Sequence, residues 1–353
     1  MSLHRNDLPR EVLSILAQGA VIPAHPLALD AARRFDRRRQ RALTRYYVDA
    51  DAGGLAVGVH TTQFAIREAG LYETVLTAAA EDSRAWNPRP LVLIAGICGP
   101  KSQALSEART AVRLGYHAGL VSLAALKSED EDALIAHCRA VAEEIPLVGF
   151  YLQTSVGGIA LSAPFWRRFA EIDNVVAIKV APFNRYRTLD VVRGVVEARA
   201  EERISLYTGN DDHIVLDLVT PFTVMRDGVA VNVRFQGGLL GHWSVWVRSA
   251  VELLARIKQQ TGSGTVSNAL LALDSRVTDC NAAFFDVAND FRGCIAGCHE
   301  VLRRQGLLAG IWCLDPNESL SPGQTAAIDR VCAIHADLSD DGFVAANRER
   351  WLA

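Results

Sequence analysis

At 353 residues, half of them hydrophobic and 22% charged, the chain can bury a large core, which excludes a disordered protein. A formal net charge of −3 supplies no field that would gather nucleic acid or an anionic membrane. The seven cysteines are odd in number and scattered, with no Cys-x-x-Cys pair, and the longest clean apolar run, Leu91 to Cys98, is too short to cross a bilayer, so a soluble cytoplasmic protein is expected.

Residues 5–18 make a poor signal peptide, because Arg5, Asp7, Arg10 and Glu11 precede a short apolar stretch broken by Gln18. Val21–Ala24 is then the first of eight short runs rich in Val, Ile and Leu, the pattern of strands buried on both faces. A basic cluster follows (Arg33, Arg34, Arg37, Arg38, Arg39, Arg41 and Arg45), read as the solvated face of a helix whose buried stripe is Phe35, Leu43, Tyr46 and Tyr47. Next come Leu55–Val59 and Leu91–Ile97, a helix from Ser102 to the cap Gly115, and Gly119–Leu123. Ser128-x-x-Glu131 reads as a capping box for a helix running to Glu144, before Pro146 and Leu147–Leu152. Ser162 and Pro164 open the next helix, and Val175–Val180, Ile204–Thr208 and Val229–Phe235 complete the strands.

From the third run onward the centres lie about 26 to 29 residues apart, near the ~31 of a 250-residue barrel divided by eight. The expected fold is α/β, a (β/α)8 TIM barrel over residues 1–259, with a helical region packed on it over residues 260–353. Ala250–Ile257, Ala282–Val287, Ala296–Leu302 and Gly323–His335 carry helical periodicity, and Cys294 and Cys298, one turn apart, read as core thiols.

Barrel enzymes project catalytic groups from the C-terminal ends of their strands. The polar residues there are His25, His60 with Thr61 and Thr62, Tyr151, Lys179, and Gly209 with Asn210 and Asp211. Lys179 ends an aliphatic run, where burial favours the neutral amine that attack on a ketone requires; the alternative is a lysine snorkelling to water. Tyr151 ends the neighbouring strand and is either a proton shuttle or a wall residue. Thr61 and Thr62 offer hydroxyls and backbone N–H groups to a small carboxylate, and Gly209 lets backbone approach a ligand, although both patterns are also ordinary turns.

In order and context these pieces resemble the dihydrodipicolinate synthase and N-acetylneuraminate lyase family of class I aldolases. Residues 54–63, ending His60-Thr61-Thr62-Gln63, are similar to that family's Gly-Thr-Thr-Gly-Glu strand end. Tyr151 to Gly158 loosely match its Tyr-Asn-x-Pro-x-x-x-Gly, Ala177-Ile178-Lys179 its Gly-Ile-Lys, and Thr208-Gly209-Asn210-Asp211 its Ser-Gly-Asp-Asp. The resemblance covers residues 20 to 240 and implies a Schiff base between Lys179 and a pyruvate-like 2-keto acid, which is cleaved from or condensed with an aldehyde. It further implies proton shuttling by Tyr151 with Thr61, carboxylate binding by Thr61 and Thr62, substrate contacts from His60, His25, Gly209 and Asn210, and a homodimer or homotetramer. Neither a cofactor nor a metal is implied.

There are departures. Val156 stands where dihydrodipicolinate synthases carry an arginine for the second substrate's carboxylate, and Leu123 to Leu126 replace a Pro-Tyr-Tyr segment, removing the relay's partner tyrosine. His60 replaces a glycine, and His25-Pro26-Leu27 replaces Thr-Pro-Phe. The alternatives are a dehydratase sharing the imine step, a metal-dependent barrel hydrolase using His25, His60, His213, Asp211 and Asp212, and a non-catalytic keto-acid-binding relative.

Overall fold

The apolar runs form strands because almost every residue in them is covered, as is seen in a computed structural model that describes residues 2–86 and 88–353. The first seven are β1 (Val21–Pro23), β2 (Gly54–Val57), β3 (Val92–Ile97), β4 (Ala118–Val121), β5 (Leu147–Leu152), β6 (Val175–Ala181) and β7 (Ser205–Thr208). The eighth expected strand is corrected. Val229–Val233 (β9) pairs antiparallel with Phe222–Arg226 (β8) in a separate hairpin turned at Asp227 and Gly228, both with positive φ. The sheet strand is instead Phe235–Leu240 (β10). The adjacent Gly237 and Gly238 weaken its strand signature. At least Gly237 is required, since a Cβ there would lie 2.3 Å from the Ala20 carbonyl oxygen.

The sheet order is β1-β10-β7-β6-β5-β4-β3-β2, and a parallel bridge between Ala24 and Ala56 joins its two ends, giving a (β/α)8 barrel. The helices are α1 (Arg10–Gln18), α2 (Arg37–Asp49), α3 (Tyr72–Trp86), α4 (Lys101–Arg113), α5 (Glu131–Ala142), α6 (Ala163–Ala170), α7 (Arg185–Glu197) and α8 (Ile214–Val219). Beyond β10 the chain is helical, with α9 (Val247–Gly262), α10 (Asn268–Phe284), α11 (Cys294–Arg304), α12 (Gln324–Ile334) and α13 (Asp341–Leu352). Among the described residues no helix is long and apolar enough to cross a membrane.

The chain divides into two compact units, residues 1–20 with 92–239, and residues 21–91 with 240–353. In the first, Ser162 caps α6 by accepting the Phe165 N–H, as its sequence signals. The capping box at Ser128 does not form: Asp130 caps α5, and Glu131 instead accepts the Ser162 N–H and hydroxyl at 2.9 and 2.8 Å, tying the starts of α5 and α6 together. In the second unit the basic face of α2 is not simply solvated. Arg38 and Arg45 donate to the carbonyls of Leu352 and Trp351 at the end of α13, Arg39 donates to those of Gly306 and Leu307, and Arg37 pairs with Asp82 on α3. Leu43, Tyr46 and Tyr47 form its buried stripe.

Candidate active site

Paired residues of neighbouring parallel strands point to a common side, so the register sorts side chains into rows. One row is Phe150, Lys179, Tyr207 and Gly237; the next is Tyr151, Val180, Thr208 and Gly238. The second row faces the helices, because the Thr208 hydroxyl donates to Asp217 on α8 at 2.6 Å and Tyr151 packs on Trp166 of α6 with ring centroids 5.2 Å apart. The first row, with Lys179, therefore faces the barrel interior.

Lys179 is 8% exposed, and its Nζ lies 4.4 Å from the centre of the Phe150 ring, within reach of a cation–π contact. Its stem lies over Gly209, where a Cβ would come 2.8 Å from Lys179 Cε and 3.2 Å from its Cγ. Two residues on, burial holds the Asp211 carboxyl well above the usual carboxylate range, with the charge of Lys179 drawing it down and that of Asp212 pushing it up. Lys179 and Asp211 thus lie within each other's electrostatic field, the kind of setting in which acid–base groups are found.

Tyr151, the expected proton shuttle, is turned toward α6 rather than toward Lys179. Its hydroxyl donates to the Leu161 carbonyl and accepts the Leu161 N–H, both at 3.1 Å, and burial raises its pKa further. The side chain anchors the segment leading into α6. Asn210 is likewise structural: its Oδ1 accepts the Phe183 N–H at 3.0 Å, while its Nδ2 donates to Thr188 at 3.1 Å and Asp217 at 2.9 Å. It fixes the turn after β6, where Phe183 adopts φ 49°, an unfavourable conformation for an aromatic residue.

In the second unit, His25 is fully buried with both ring nitrogens engaged, Nε2 with the Thr44 hydroxyl at 2.9 Å and Nδ1 with the Pro26 carbonyl at 3.0 Å. Burial pushes its pKa down to about 4. The Thr62 hydroxyl donates to the His25 carbonyl at 2.6 Å and accepts the Gly58 N–H at 3.0 Å. These contacts fasten the ends of β1 and β2, so neither side chain is left to grip a substrate. Thr61 is buried in the single 3-10 turn His60–Thr62, and half-buried His60 sets its ring against Phe64 at 5.9 Å. Among the described residues no three His, Cys, Asp or Glu side chains gather as a metal site would require.

Phe150 and the influence of Lys179 on Asp211 escaped the sequence reading. Counting four residues along from the Leu147–Val175 pair would set Tyr151 opposite Lys179, but the register slips between Leu147 and Val148, which face Val175 and Ala177. Val176 is skipped, and Phe150 takes the tyrosine's place.

No protein-family model matches the chain, and no curated protein matches it in sequence. Solved structures do resemble it. Dihydrodipicolinate synthase from Aquifex aeolicus aligns with a TM-score of 0.73 at 18% identity, over 90% of this chain and 98% of that one. N-acetylneuraminate lyase from Fusobacterium nucleatum gives 0.70 at 14% identity, over 90% and 99%. The chloride-inhibited dihydrodipicolinate synthase from Acinetobacter baumannii, complexed with pyruvate, gives 0.70 at 16% identity, over 89% and 98%. The chain thus has the fold of the dihydrodipicolinate synthases and N-acetylneuraminate lyases, a (β/α)8 barrel continued by a helical region.

Proposed function

We propose that this chain is a divergent member of the dihydrodipicolinate synthase and N-acetylneuraminate lyase family, a lyase that holds a pyruvate-like 2-keto acid as an imine on Lys179. The observation that carries the reading is the placement of Lys179 in the inward row of β6, over Gly209 and within the field of Asp211. The fold is shared with structures of lyases and synthases, one of them complexed with pyruvate.

The amine adds to the ketone carbon to give a carbinolamine, whose hydroxyl must leave as water with one added proton. Tyr151 is turned away, Tyr207 donates to the Leu16 carbonyl and Phe150 has no hydroxyl, so the donor we assign is the protonated Asp211 carboxyl. The carboxylate it leaves behind can take a proton from C3 of the imine, producing the nucleophilic enamine that adds to an aldehyde; cleavage runs in reverse. Val156 and the Leu123–Leu126 segment carry no cation, which favours an aldehyde without a second carboxylate.

Borohydride reduction with pyruvate, followed by peptide mapping, tests the reading. A stable adduct is expected on Lys179 and lost in Lys179→Ala; an adduct that survives this change overturns the assignment. Asp211→Asn should still be trapped but should exchange C3 hydrogen for deuterium about 100-fold more slowly or worse, and lose the corresponding limb of its pH profile. The inward phenol beside Lys179, Tyr207, is committed to the Leu16 carbonyl at 3.0 Å, which also favours a second reading, a keto-acid-binding protein without turnover. That reading predicts a trapped adduct with no C3 exchange in the wild type.

A further inference from the structure

The second unit contains a cavity of about 480 Å³ between α9 and α10, within the size range of small-molecule pockets. Trp246, Leu253, Leu273, Val277 and Leu338 give it an apolar side, while His242 and Ser249 are among its polar lining residues. Four charged side chains line it, and three are engaged. Glu252 pairs with Arg248 at 2.8 Å, and Arg276 pairs with Asp337. The fourth, Arg256, stands four residues after Glu252, the spacing at which the two would ordinarily pair, yet it makes no ion pair among the described residues. The cavity therefore offers one solvent-exposed cation without an ion pair at the edge of a partly apolar chamber. Trp246, one of its lining residues, also carries a buried indole N–H with no hydrogen-bond partner among the described residues.

We propose that this cavity binds a small amphipathic monoanion, an aromatic or branched aliphatic carboxylate, at a site separate from Lys179. The hydrocarbon part lies against Trp246, Leu253, Leu273 and Val277, where its burial is favourable, and the carboxylate meets Arg256 in a charge-assisted hydrogen bond. Lys179 and Asp211 belong to the other unit of the chain and take no part.

Titration of the full chain with 4-phenylbutyrate and with its uncharged amide, followed by tryptophan fluorescence and calorimetry, tests this. The acid is expected to bind about tenfold more tightly than the amide, Arg256→Gln should remove that difference while leaving the amide unchanged, and Leu273→Trp, which fills the chamber, should weaken both. Melting curves of each variant separate lost binding from lost folding. Equal binding of acid and amide, an Arg256→Gln variant that behaves as wild type, loss of binding in Lys179→Ala, or no binding up to about 10 mM would each overturn the proposal.

Discussion

Gly209→Ala adds one carbon where the structure has no room for it. The new Cβ would sit 2.8 Å from both Lys179 Cε and Ala181 Cβ, against the roughly 3.5–4.0 Å at which carbon atoms pack. Ala181 is fixed by its strand, whereas the lysine stem can rotate, so the stem yields. Overpacking of this kind costs about 1–3 kcal/mol, which lowers Tm by roughly 2–4 °C per kcal/mol in a chain of about 150–250 residues and somewhat less in a longer one. Displacing a reacting atom by about 1 Å can slow its chemistry about 100-fold. Borohydride trapping of pyruvate, followed by intact mass, should accordingly run about 10- to 100-fold more slowly in the variant, beside a small loss in Tm. Wild-type trapping at wild-type Tm would show that the stem does not lie over Gly209 and would remove the geometric basis of the site.

Tyr151→Phe should lose about 1 kcal/mol of stability through its two bonds to Leu161 while trapping at the wild-type rate; slowed trapping in a fully folded variant would restore the tyrosine to the chemistry. Phe150→Tyr places an uncommitted hydroxyl beside Lys179, and C3 exchange should rise about tenfold or more, an absence of any rise arguing that proton transfer does not limit the exchange. His25, His242 and His299 are fully buried, and burial lowers each to about 4 from 6.5. The unfolded chain therefore binds more protons between those values, so stability is intact above pH 6.5 and falls toward pH 4 by as much as ~3 kcal/mol per histidine. Urea midpoints at pH 7.5 and 5 check this, and equal midpoints would contradict it.

The first seven strands were legible because burial on both faces leaves continuous aliphatic runs. Lys179 was legible because a cation interrupts one of them. β10 was not, since its glycines are selected by a close approach to the Ala20 backbone, a contact invisible from neighbouring residues. Val229–Val233 imitated a strand of the barrel because it is a strand, in the wrong sheet. The structural partners of His25, Thr62 and Asn210 escaped notice for a shared reason. A polar residue at a strand end can face a ligand or fasten the loop it begins, and these three have partners at sequence distances, such as Thr44 or Thr188, that no local pattern announces. The one-residue slip in β6 mattered most, because it exchanges which of two adjacent aromatic residues meets the amine.

The arginines of α2 close on carbonyls 306 and 314 positions further along the chain. During synthesis this helix emerges more than 300 residues ahead of α13, with its cations facing water, and gains those partners only after the intervening chain has followed. Docking of α13 is therefore a late step, one that depends on a very long loop closing. Until then α2 is a strongly basic, half-covered surface, and a ribosome-stalled chain ending before α13 would display it to any polyanion nearby.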